Sequence, residues 1–268
     1  MRGLILSLLL VLGLPVQGWA TVTFYWGMEN NTTTLDGTTD YTAGADTTAT
    51  VGSSAAIGTT PALIGTYGLD LPSASDNMQF TAEAAVHNID TGSMAFYLRV
   101  QTWVNTATLL KVRDNLSDND KIEIKLSGAS GSGTLTMRTR DSVTGLSDLT
   151  TTGANLALNT TYFVTMSWDY NNNDRRIVVY DASGTVIETR EDLTTAFNNP
   201  TDLTGVPGFF VGENDGIASA FYLDNVFVGN AYADADTFYC NRNITSYANY
   251  AACSGGAETS GFRKRLFQ

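Results

Sequence analysis

The stretch FYLDNVFVG, residues 221–229, decides the fold and poses a problem. Its aromatic and β-branched residues read as a buried β-strand, yet a carboxylate, Asp224, stands in its middle. Left unpaired on an apolar face, such a group carries a large desolvation cost or takes up a proton to avoid it.

Strand patterning recurs along the chain. KIEIKL (121–126) and TLTMR (134–138) exchange polar and apolar residues at every position, the period of a strand with one wet face. In MAFYLRV (94–100), Met94, Phe96, Leu98 and Val100 fall on one side and Ala95, Tyr97 and Arg99 on the other. Further strands are predicted over 78–86, 162–168, 176–180, 208–211 and 221–228. Turn-forming clusters lie between them: SGASGSG (127–133), DYNNND (169–174) and DASG (181–184). No segment sustains a helical period, and neither a fixed-length repeat nor a linker divides the chain. The expected class is all-β, an antiparallel β-sandwich or jelly roll in one domain. Residues 31–60, rich in Thr, Gly and Ala, are expected to cross the surface as long loops.

Met1 and Arg2, an apolar run from Leu4 to Leu14, and Gly18 and Ala20 near residue 20 read as a signal peptide over 1–20. The run is too short to span a bilayer core of about 30 Å as a helix. A secreted protein, extracellular or in the cell envelope, with no membrane span is expected. Without residues 1–20 the chain carries 14 basic and 27 acidic residues, a net charge of −13. That balance argues against nucleic acid and anionic membranes, which need a basic footprint, and is compatible with divalent cations and uncharged glycans. Arg263, Lys264 and Arg265 read as a solvated tail. Cys240 and Cys253 are expected to form a disulfide pinning the terminal segment, a loop closure worth about 3 kcal/mol in chain entropy.

Several stretches in order resemble one family. TFYWGME (23–29) resembles the opening strand of laminin G-like, concanavalin A-like jelly-roll domains, and GTYGLDL (65–71) the strand after it. GSMAFYLR (92–99), YFVTMSWD (162–169) and VVYDASG (178–184) are similar to the middle strands, and YLDNVFV (222–228) to the closing one. The resemblance covers roughly residues 23–235, implying a jelly-roll domain over 21–235 followed by a tail over 236–268. In this family and the related laminarinase-type glucanases, an early acid and an Asp on the closing strand often share a calcium ion. The resemblance therefore implies Glu29 and Asp224 as calcium ligands. Calcium takes about 6 to 8 oxygens, so backbone carbonyls, water and Asp46 or Asn30 would complete the shell. The alternative is that Asp224 caps backbone N–H groups at the rim.

Catalytic motifs of similar folds are missing. Laminarinase-type enzymes carry Glu-x-Asp-x-x-Glu on one strand face; Glu188 and Glu191 with Asp192 come nearest, in the wrong order. The Gln-x-His of alginate lyases has no counterpart around His87, and no Gly-x-Ser-x-Gly elbow accompanies this single histidine. Asp114–Asp120 is acidic but lacks the central Gly and distal Glu of an EF-hand loop, and reads as a hairpin turn.

A non-catalytic binding module for carbohydrate or another surface ligand is therefore expected, with Tyr97, Arg99, Gln101 and Trp103 as the candidate ligand face if strand alternation persists. The alternatives are packing of that face against a neighbouring loop or sheet, an adhesive envelope protein without sugar affinity, and a polysaccharide-cleaving enzyme with an unrecognised site.

Overall fold

A computed structural model describes residues 22–251 apart from 45–46, 74–75, 81–89, 115–116, 129–132, 142, 144, 154, 199–207, 214–218 and 233. In chain order its strands are β1 (Val22–Trp26), β2 (Tyr41–Thr42), β3 (Thr50–Gly52), β4 (Ala56–Gly58), β5 (Gly68–Leu71), β6 (Asn77–Phe80), β7 (Thr91–Thr102) and β8 (Thr108–Asp114). They continue as β9 (Ser117–Ser127), β10 (Thr134–Asp141), β11 (Gly145–Thr150), β12 (Thr161–Asp169), β13 (Asp174–Asp181), β14 (Val186–Asp192), β15 (Gly208–Glu213) and β16 (Ala220–Gly229).

These strands build two antiparallel sheets. A nine-stranded sheet runs β14-β13-β12-β7-β16-β1-β2, with β5 also on β16 and β4 on β5. A seven-stranded sheet runs β11-β10-β9-β8-β15-β6-β3. The inner faces pack together as the core predicted from alternation. Phe96, Leu98, Val164 and Trp168 come from the first sheet, and Ile122, Ile124, Met137 and Phe209 from the second. The architecture is the expected all-β sandwich.

A second apolar cluster lies on the outward face of the nine-stranded sheet, joining Tyr25, Tyr97, Phe163, Tyr180 and Phe227. A short helix, α1 (Asp234–Cys240), covers it through Phe238, which stacks on Phe227 at 5.3 Å. Tyr239 stacks on Tyr180 at 4.3 Å, and Tyr247 on Tyr41 at 4.4 Å. This cover explains why β16 is apolar on both sides, since a strand buried on both faces has no wet positions to fill with polar residues. The tail boundary expected at 235/236 falls inside α1, and residues up to 250 belong to the packed body. Cys253 lies outside the described residues, as do His87 and Asp46; Cys240 ends α1.

Other differences are local. Short strands β2, β3 and β4 interrupt the region expected to be loop, because each pairs with a longer neighbour that supplies its hydrogen bonds. The acidic 114–120 stretch contributes the pair Asp114 and Ser117 where β8 meets β9.

Candidate functional site

Asp224 sits on a β-bulge. Leu223 faces Leu98 and Asp224 faces Tyr97, but Phe227 faces Ala95, so β16 carries one extra residue. Asn225 holds it with a left-handed φ of 47°. The bulge breaks the alternation on which the sequence reading relied: Val226 enters the main core and Phe227 turns to the outward cluster. Asn225 then stitches the cover down, its Nδ2 donating to the carbonyls of Arg242 (2.7 Å) and Ile244 (2.8 Å). Tyr25 directs its hydroxyl at Asn225 Oδ1 (3.1 Å) and Ile244 O (3.0 Å).

Asp224 itself accepts backbone hydrogen bonds. Leu63 N–H and Ile64 N–H donate to Oδ2 at 2.8 and 2.9 Å, and Asn225 N–H to Oδ1 at 2.8 Å. Glu29, on the chain leaving β1, takes the next part of the same loop: Thr66 N–H donates to its Oε1 at 2.9 Å, and Tyr67 N–H at 3.4 Å. Gly65, at φ 69°, lies so close to Glu29 that a Cβ there would collide with the carboxylate. The two acids thus clamp residues 63–67, and Leu63 and Ile64 pack on the outward cluster. Burial pushes Asp224 up to about 8, outweighing its three N–H donors, with the nearby Glu29 charge adding to the rise.

A third acid, overlooked in the sequence, completes this corner. Asp40 is fully buried and accepts from Gly27 N–H (2.8 Å) and Met28 N–H (3.3 Å), with Asn30 Nδ2 on its other oxygen (2.8 Å). Burial pushes it up to about 6. Asn30 also donates to Thr34 O (2.8 Å) and accepts from Thr32 N–H (3.1 Å), so its amide is spent on its own loop. These residues do not fit a calcium cage. The carboxylate oxygens face N–H donors where a cation needs acceptors. No group of three or more His, Cys, Asp or Glu side chains among the described residues is arranged to hold a metal ion.

The strand β7 candidates do not form an open face. Tyr97 is buried beneath the cover, donates to Asn243 Oδ1 at 2.6 Å and packs on Phe163 at 4.9 Å. Arg99 spends Nε and Nη2 on Thr161 Oγ1 (3.0 and 2.8 Å), and Gln101 is half-buried near the strand end. Trp103 lies beyond the strand, in the main core, with Nε1 donating to Gly128 O at 3.2 Å. Alternation stops at Thr102, so the four residues never share one exposed surface.

The outward face of the seven-stranded sheet is polar instead. Register sets Gln79 beside Phe210, Phe210 beside Lys111, Lys111 beside Glu123, Glu123 beside Arg138, and Arg138 beside Asp148, a continuous row across six strands. Its centre is recessed: Lys111 and Glu123 are 0% and 1% exposed, although they point away from the core. Arg138 forks onto Asp148 with two bonds of 2.7 Å, and Thr108 Oγ1 donates to Glu123 Oε2 at 3.1 Å. The signal was present in the alternating KIEIKL and TLTMR stretches, whose polar positions supply much of this face.

No protein-family model matches the sequence, and no curated relative does. Solved structures share its fold. The binding domain of botulinum neurotoxin DC in complex with SialylT is similar with a TM-score of 0.55 at 13% identity, covering 85% of this chain and 52% of that one. The same toxin's binding domain in complex with rat synaptotagmin II gives 0.50 at 14% identity, covering 75% and 48%. Domain 4 of an extracellular GH43 arabinanase from Geobacillus stearothermophilus, in complex with arabinotriose, gives 0.50 at 15% identity, covering 80% and 94%. The chain spans about half the length of the toxin domains and most of the arabinanase domain.

Proposed function

We propose that the protein is an exported, non-catalytic binding module whose ligand is a glycan or another cell-surface or matrix partner. The observation that carries this reading is the recessed polar row from Gln79 to Asp148. The row holds a planar amide, Gln79, an aromatic ring, Phe210, and a guanidinium, Arg138, which are group types that take sugar hydroxyls and apolar sugar faces. Similar solved domains in complex with SialylT, arabinotriose and rat synaptotagmin II support a glycan or receptor as partner. The acids that drew attention in the sequence have structural work: Glu29 and Asp224 hold the 63–67 loop, and the function routes nothing through calcium.

Screening the purified protein on an array of neutral and acidic glycans tests the reading. Retention of at least one glycan class is the expected result. A blank array would sink sugar recognition in favour of the adhesive envelope role, and turnover of any polysaccharide in a broad panel would sink the non-catalytic assignment. For the acid corner, a melting temperature raised by millimolar calcium in the wild type but not in Asp224→Ala would restore the ion that the family resemblance implies.

A further inference from the structure

The two sheets end together on one flank, β14 being an edge of the nine-stranded sheet and β11 an edge of the seven-stranded one. Three hydrogen bonds tie these edges. Thr152 N–H and Gly153 N–H, just after β11, donate to Glu188 of β14 at 2.6 and 2.9 Å, and Asn198 N–H, after β14, donates to Ser147 Oγ of β11 at 2.8 Å. Both edges are long. β14 has seven residues and β11 six, whereas the edge strands β2, β3 and β4 have two, three and three. Sheets ordinarily keep exposed edges short, because their outward-turned N–H and C=O groups invite another strand. Five of the seven β14 residues are exposed, on both faces of the strand. Four of the eight large apolar side chains exposed among the described residues stand on these two strands or directly after β14: Leu146, Val186, Ile187 and Leu193.

The charges along β14 restrict what could pair with it. Glu188 and Arg190 stand opposite Val179 and Ile177 of the main core, so they share one face of the sheet, with Thr189 between them on the other. Glu191 is paired with Arg176 and Asp192 with Arg175, each at 3.0 Å. Arg190 has no carboxylate partner among the described residues. A second β14 brought alongside, antiparallel, about a two-fold axis perpendicular to the sheet would set one central residue opposite itself. An axis at Glu188, Arg190, Glu191 or Asp192 sets like charges directly opposite, which destabilises a sheet. An axis at Ile187 runs the ladder through the register shift beside Val179 and Tyr180. An axis at Thr189 sets threonine against threonine and Glu188 against Arg190 twice, both of them favourable cross-strand pairs.

We propose that β14 is an interface for a second copy of this chain, paired antiparallel about a two-fold axis at Thr189, so that the two nine-stranded sheets run on as one. Arg190 of each copy meets Glu188 of the other. The two N–H groups already on Glu188 fix its position and leave acceptor capacity, since an ionised carboxylate has about four lone-pair sites. At each end, Val186 and Ile187 of one copy are brought towards Leu193 of the other. The charged edge thus repels most strands and accepts its own, in one register. This interface stands independently of the glycan reading. The perpendicular axis makes the outward faces of both seven-stranded sheets look the same way, which presents any ligand of that face with two sites at once.

Sedimentation of the purified protein across the micromolar range tests the pairing, and a dimer that forms with rising concentration is expected. Arg190→Glu, which puts acid opposite acid twice, should weaken it roughly tenfold or more. Glu188→Arg puts cation opposite cation and should weaken it likewise, while an equal mixture of the two variants should recover the dimer, because opposite charges then meet at both positions. Melting curves confirm that each variant is folded. Thr189→Cys gives a reading that leaves Glu188 and its bonds intact. Antiparallel neighbours at the axis have Cα atoms about 4.5–5.5 Å apart, within disulfide range, so mild oxidation should give a covalent dimer that Ala182→Cys, on the exposed turn before β14, does not.

A monomer at every concentration would overturn the proposal and leave the edge to a strand of some other protein. A dimer that ignores Arg190→Glu and is not captured by Thr189→Cys would overturn it in favour of another surface. Equal capture by Thr189→Cys and Ala182→Cys would overturn it as random collision.

Discussion

The two sheets solve the problem of an outward face in opposite ways. On the nine-stranded sheet that face is aromatic and covered, with Tyr25, Tyr97, Phe163 and Phe227 lying under residues 234–250. On the seven-stranded sheet it is charged, carrying Lys111, Glu123 and Arg138 in cross-strand register. One outward face is therefore an internal interface that contributes stability. The other is a row of charged groups that alternate in sign from Lys111 through Glu123 and Arg138 to Asp148. Aromatic residues on a strand thus marked the covered face: rings such as Tyr97 serve the cover, while β9 and β10 alternate polar and aliphatic residues.

The sharpest way to break this contrast is to strip the cover. Phe238→Ala deletes a fully buried ring at the centre of the interface, and urea unfolding should show a loss of about 3–5 kcal/mol. A loss below about 1 kcal/mol would mean that the segment merely rests on the sheet. Next comes Asn225→Ala, which leaves the Arg242 carbonyl without its Asn225 donor, leaves that of Ile244 with the Tyr25 hydroxyl alone of its two side-chain donors, and puts alanine at φ 47°. Its expected cost is about 2–4 kcal/mol by the same measurement.

Proton linkage sharpens the comparison further. Asp40 and Asp224 are raised by burial to about 6 and about 8, above the ordinary range of an aspartate. The folded state therefore keeps protons that the unfolded chain has released, and this stabilisation is complete below about pH 4. In EDTA, stability should fall as pH rises from about 4, with the Asp40 contribution lost through about 6 and the Asp224 contribution through about 8. Asp224→Asn should flatten the upper part of that fall, measured as melting temperature against pH; an unchanged slope between pH 6 and 8 would refute the assignment. The smallest effect belongs to the other sheet. A double-mutant cycle on Arg138 and Asp148, whose side chains are 23% and 32% exposed, should return a coupling of about 0.2–1 kcal/mol.

Much of this architecture was legible in residue order. KIEIKL and TLTMR lie within β9 and β10, and the predicted 162–168, 176–180 and 221–228 strands lie within β12, β13 and β16. Period alone was enough there because each residue's environment repeats every second position. It failed where the environment comes from elsewhere in the chain. Helix α1, only seven residues long, is too short to show a helical period, and its place is set by the aromatic face beneath it. The bulge at Asp224 and Asn225 inverts the alternation within one residue, so strict alternation would put Val226 beside Asp224, whereas it lies in the main core. The acid corner was half visible: Glu29 and Asp224 do converge on one loop, but the partners they find there are N–H groups, which no side-chain pattern announces. Asp40 gave no signal because two of its donors are backbone N–H groups and the third, Asn30 Nδ2, stands ten residues away in an irregular loop.

The pairing of β1 with β16 has a consequence for how the molecule comes into being. Val22 faces Gly229, and Tyr25 reaches Ile244, so β1, flanked on its other side by the two-residue β2, gains its long partner only after the intervening strands have been made. Contacts spanning this much of the chain raise the contact order and slow the search for the native state. Until that partner is made, TFYW keeps its β16 edge open, and an open apolar edge is exposed to aggregation.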